Sequence, residues 1–144
     1  MFNTPSLTVR IAIGKGVGFL FGLIGFLSLP LFLPDIGWLP RIGILLWYPL
    51  VGAVIGVFGV YTWHPILKLP MPWWFRAPLI GGWMNFVLTF FAYNLMGSLT
   101  AAVFGSVSHL QTVLLFTCEG ILVGLLIGYL ATKIGGEGAS TLDR

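Results

Sequence analysis

Glu119 is the residue whose chemistry most needs explaining. It stands beside Thr117 and Cys118 inside the apolar run from Thr112 to Ile134. A carboxyl group in the middle of such a helix costs roughly 2.5–3.5 kcal/mol even on the lenient insertion scale. Two chemistries justify that cost: a proton or cation site, or a protonated acid hydrogen-bonded to a neighbouring helix, where it both donates and accepts. The second is the expectation, because proton-coupled sites gather several ionisable groups and this core offers one. The preceding apolar run supplies candidate partners in Asn85, Thr89, Tyr93, Asn94, Ser98 and Thr100. Glu119, Asn85, Asn94 and Ser98 are therefore the expected intramembrane polar site. Asn85 and Asn94 lie half a helical turn out of phase, so they face opposite ways.

Other reactive side chains do not converge. His64 and His109 fall near opposite ends of the apolar runs, and no His, Asp or Glu cluster has ligand spacing, so no metal is expected. Cys118 is the only cysteine, which excludes an intramolecular disulfide and a cysteine-based zinc site. No serine–histidine–acid arrangement, phosphate-binding loop or dinucleotide fingerprint is present. The expectation is a protein that is not an enzyme and has no cofactor. Seven Lys and Arg against four Asp and Glu give a net charge of +3, without a basic run. That balance suits anionic lipid, and no nucleic-acid partner is expected.

The elements that position these residues follow from hydropathy. The 144 residues are 58% hydrophobic and 8% charged, whereas soluble domains are about a quarter charged. About 20 mostly apolar residues cross a hydrocarbon core as a helix. Four stretches qualify, at 11–33, 42–63, 79–104 and 112–134. They are apolar all round, which excludes the alternating segments of a β-barrel. The predicted fold is all-α: one polytopic membrane domain over residues 1–144, built as a four-transmembrane-helix bundle. Arg10 and Lys15 precede an apolar run that ends Leu29-Pro30-Leu31-Phe32-Leu33-Pro34-Asp35. This is a poor cleavage site, so the run reads as a retained span and not a signal peptide.

Arg10, Lys15, Lys68, Arg76, Lys133 and Arg144 share one side of a four-span topology, with Arg41 alone on the other. The positive-inside rule then puts both termini in the cytoplasm, in a membrane of the bacterial inner (plasma) type. The linker 64–78 holds four prolines, which forbid one continuous helix. Its Trp63, Lys68, Trp73, Trp74 and Arg76 suit the headgroup zone, as contacts to lipid or a partner.

Small residues recur at every fourth position: Gly14, Gly18 and Gly22; Gly52 and Gly56; Gly97 and Ala101; Gly120, Gly124 and Gly128. Such stripes let helix backbones approach closely. Shifting the second span by 68 residues sets Leu46 on Leu114, Gly52 on Gly120, Gly56 on Gly124 and Tyr61 on Tyr129. This suggests two tandem helical hairpins. Four stripes exceed what one chain needs. The expected function is therefore a non-catalytic accessory, assembly or structural subunit that packs against membrane lipids and other membrane subunits or its own copies. The competing expectation is a small oligomeric transporter or channel with Glu119 in its proton or ion pathway.

Overall fold

The computed structural model describes residues 4–142; Arg144, counted in the charge distribution above, lies outside them. The chain is all-α. Helix α1 spans Leu7–Phe32, α2 Trp38–Phe58, α3 Trp73–Phe91, α4 Tyr93–Phe104 and α5 His109–Gly135, and a 3-10 turn closes the described chain at Ala139–Thr141. Three of these, α1, α2 and α5, are each long and apolar enough to cross a membrane, and α3 with α4 makes a fourth if the bent pair is one span.

Local side-chain signals account for the starts of α1 and α5. The Ser6 hydroxyl caps α1 by accepting from the Val9 amide. Ser108 and Gln111 form a reciprocal capping box at the start of α5, which satisfies amides with no partner inside the helix. Proline-freed carbonyls are also accommodated. Pro30 has no N–H for the Phe26 carbonyl, and the Arg41 Nε donates to that carbonyl instead at 3.1 Å. The Arg41 guanidinium also lies over the Phe26 ring at 4.3 Å.

Two helix pairs form the body. α1 packs along α2, and α3 packs along α5. The closest approaches are backbone to backbone, and glycine is required there. A Cβ on Gly14 would fall on the Gly52 carbonyl, and one on Gly52 would fall on the Gly14 carbonyl. Gly81 and Gly120 stand in the same relation. Gly14 to Gly81 is 67 residues and Gly52 to Gly120 is 68, so the two pairs cross at matching points. Gly18 and Gly22 press on the Tyr48 and Leu45 carbonyls, Gly56 on Arg10 and Ile11, Gly124 on Ala77 and Gly81, and Gly128 on the Ala77 methyl. Between the pairs, Val51, Ile55, Val123 and Ile127 are fully buried with Tyr48 and Ala77.

Three features differ from the sequence expectation. The run 79–104 is not one straight helix: it breaks at Ala92, and α3 and α4 meet at 102°. No proline or glycine stands at the break, and the sequence does not mark it. Second, the linker ends earlier than residue 78. Pro72 is the N-cap of α3, so 73–78 are its first turns. Pro72 at the cap costs the helix little, because the first amides have no intrahelical partner, whereas Pro78 lies beyond them and forgoes the bond to the Trp74 carbonyl. The true loop is a small hairpin: Trp63 bridges Pro70, the His64 amide donates to Leu69, and the Met71 amide donates to Thr62. Third, the Gly97/Ala101 stripe lies on α4, which packs lightly on the other helices. Among the described residues, nothing lies within contact of a Cβ built on Gly97, and Ala101 is exposed.

Candidate functional site

Glu119 is held by groups from two other helices. The Tyr48 hydroxyl on α2 donates to Oε1 at 2.5 Å. The Asn85 amide nitrogen on α3 donates to Oε2 at 2.9 Å. Asn85 is itself fixed: its Nδ2 also donates to the Phe116 carbonyl at 3.2 Å, and its Oδ1 accepts from the Trp47 indole at 3.0 Å. An indole only donates and a carbonyl only accepts, so both contacts fix the same orientation of the amide. Its NH₂ group therefore faces Glu119. Gly120 makes this possible, because a Cβ there would overlap the Asn85 side chain.

This chain of groups opens onto a cleft of about 410 Å³ walled by α1, α2, α4 and α5. Its lining is mostly apolar, with rings from Phe21, Phe32, Phe104 and Phe116. Glu119 is the one charged side chain in the lining among the described residues. One wall is α4, tied to α5 by the Thr100–Thr112 hydroxyl pair at 3.0 Å and by the edge contact of Tyr93 on His109.

The four polar residues expected together divide into two places. Asn85 is beside Glu119. Asn94 and Ser98 are not. They are exposed on α4, where the Ser98 hydroxyl donates to the Asn94 carbonyl of its own helix. The bend at Ala92 carries both away, and they line a shallow hollow with Asp35 at the far end. Thr89 turns back to the Phe86 carbonyl, and Thr100 bonds on α4 and to Thr112. Sequence reasoning missed Tyr48 and Trp47. Both sit in an apolar run, where an aromatic with a polar tip looks like any other hydrophobic residue.

A second polar cluster lies at the end of the bundle that carries the chain termini. Arg10 and Arg76 are 1% and 2% exposed. Arg10 donates to the Gly56 carbonyl at 3.1 Å, to the Thr132 hydroxyl at 3.3 Å and to the Gly136 carbonyl. These acceptors mark the C-terminal ends of α2 and α5, where unpaired carbonyls and the helix dipoles favour a cation. Gly59 and Gly135 leave space for the side chain, since a Cβ on either would strike it. Arg76 donates to the Tyr61 and Met71 carbonyls and pairs with Glu137 at 2.7 Å. This corrects the reading of Arg76 as an interfacial lipid or partner contact: the guanidinium is drawn inward by carbonyls and a carboxylate. Trp63, Lys68 and Trp74 are exposed, and Trp73 is half-buried against Tyr129.

Among the described residues no group of three or more His, Cys, Asp or Glu has the arrangement of a metal site. No family model, no curated protein and no solved structure matches the chain.

Proposed function

We propose that this chain is an integral membrane protein that crosses the bilayer four times, with a broken third crossing, and acts without catalysis as a small transporter or channel whose pathway includes Glu119. One observation carries the reading. The Glu119 carboxyl is gripped by donors from two other helices and still faces an open lateral cleft. Lys15, Lys68 and Lys133 on the side of the termini favour a cytoplasmic location for both ends in a plasma-membrane setting. Arg10 and Arg76 count in the same direction during insertion, although they are buried in the finished fold. The test is flux. Purified protein in vesicles with an internal pH dye should dissipate an imposed proton gradient, and Glu119→Gln should abolish this. Equal flux from protein-free vesicles, or from Glu119→Gln, defeats the proposal.

The second reading, an accessory, assembly or structural subunit, is favoured by α4. Most of the small-residue stripes are consumed inside the chain, but Gly97 and Ala101 are open to a neighbour. Such a face suits close packing against another membrane protein or a second copy. Native mass in nanodiscs distinguishes the cases: co-purifying polypeptides favour the subunit, and a pure homo-oligomer with Glu119-dependent flux favours the transporter.

A further inference from the structure

We propose that the cleft beside Glu119 binds a lipophilic cation. This rests on the reading of Glu119 as the working group of the cleft, and it names the chemical class that the cleft takes.

The first argument is the polarity of the site. The two side chains that hold the carboxyl both donate to it: the Asn85 NH₂ by fixed orientation, and the Tyr48 hydroxyl, which has no other acceptor among the described hydrogen bonds. A carboxyl with donors on both oxygens is arranged as an acceptor. A carboxylate has about four lone-pair sites, and these two bonds leave the rest unused. Glu119 is part of the cleft lining, so the unused capacity favours positive charge there.

The second argument is what surrounds that charge. No basic side chain lines the cleft among the described residues, so an organic cation would be the only counter-charge. The rings of Phe21, Phe116 and Tyr48 stand in the same lining, and aromatic faces attract cations. The Phe21 and Tyr48 ring centroids are 6.3 Å apart. A hard divalent cation is a poor fit, because such ions take six or more oxygen ligands and the side chains of the lining offer only Glu119, Tyr48, Ser28 and Thr100. The volume of about 410 Å³ lies within the range of small-molecule sites, roughly 300–1,000 Å³. The α4 wall packs lightly on the other helices.

The test uses two ions of one shape and opposite charge, tetraphenylphosphonium and tetraphenylborate, with the purified chain in nanodiscs. Tetraphenylphosphonium should bind wild type, and Glu119→Gln should weaken it by roughly tenfold or more through loss of the charge partner. Tetraphenylborate binding should be weaker and indifferent to the substitution. A second measurement needs no variant: a hydrophobic carbodiimide should modify Glu119, read by peptide mass, and tetraphenylphosphonium but not tetraphenylborate should protect it. Equal binding of the two ions, or protection by both, overturns the inference. If that occurs while proton flux remains dependent on Glu119, the cation inference falls and the transporter reading stands. If flux is also indifferent to Glu119→Gln, both fall.

Discussion

The Arg10/Arg76 cluster and the Glu119 cluster satisfy buried charge in opposite ways. At the terminal end, guanidinium groups are answered mainly by backbone carbonyls, at helix ends for Arg10 and in the α2–α3 loop for Arg76, and one carboxylate, Glu137, completes the set. That cluster closes on itself. At Glu119 the partners are side chains, and an open cleft lies alongside. Backbone acceptors are fixed by the fold, so they suit a permanent joint. A carboxyl with unused lone pairs facing a cavity suits exchange. Burial alone therefore does not identify a working residue; what matters is whether the hydrogen-bonding capacity is used up.

The contrast is broken first at the closed end. Arg10→Leu should cost about 3 kcal/mol or more, because three acceptors lose their donor at roughly 1–3 kcal/mol each. It should appear as a large drop in thermal midpoint in detergent. Gly59→Leu should act similarly, because its side chain would occupy the guanidinium's place. A midpoint unchanged in both would show that the cluster is not a joint. Glu137→Gln should have the next largest effect, about 2 kcal/mol by loss of a charge-assisted bond. It should be less than Arg10→Leu because Arg76 keeps its carbonyl acceptors; an equal or greater loss would reverse the assigned importance.

Glu119→Gln sharpens the comparison from the other side. A glutamine can accept one of the two bonds, so the stability loss should stay near 1 kcal/mol, while proton flux should be lost and cation binding should weaken by roughly tenfold or more. A large stability loss with flux retained would make Glu119 a joint as well. The smallest effect belongs to α4. Gly97→Leu meets open space and should change the monomer's stability by less than about 0.5 kcal/mol. Gly124→Leu, driven into the Ala77 backbone, should prevent the α3–α5 pair from forming. If Gly97→Leu instead alters the native mass, α4 is a contact between chains.

How much could be read in the sequence follows the same division. Apolar runs announced the helices, because a span is a one-dimensional property of composition. Glu119 stood out by cost, and Asn85 by polarity. Tyr48 did not, since a phenol in an apolar run carries no positional signal and the expected partners were sought on the helix next in sequence. Asn94 and Ser98 were grouped with the site by assuming that the third run was straight. Arg10 and Arg76 looked like flanking charges; most of their acceptors are backbone carbonyls, at helix ends for Arg10 and in the α2–α3 loop for Arg76, which no side-chain pattern displays.

The bonds of Arg10 also impose an order in time. Its partners Thr132 and Gly136 lie 122 and 126 residues further along the chain. A ribosome delivers Arg10 well before α5. The α1–α2 hairpin can close on its glycines as soon as both helices are in the bilayer, but the guanidinium then has only part of its shell, the Gly56 carbonyl. Until α5 has been made, the Arg10 charge must be tolerated half-satisfied or kept at the lipid headgroups. A chain truncated before Thr132 would therefore fail at its beginning, with Arg10 lacking its later acceptors.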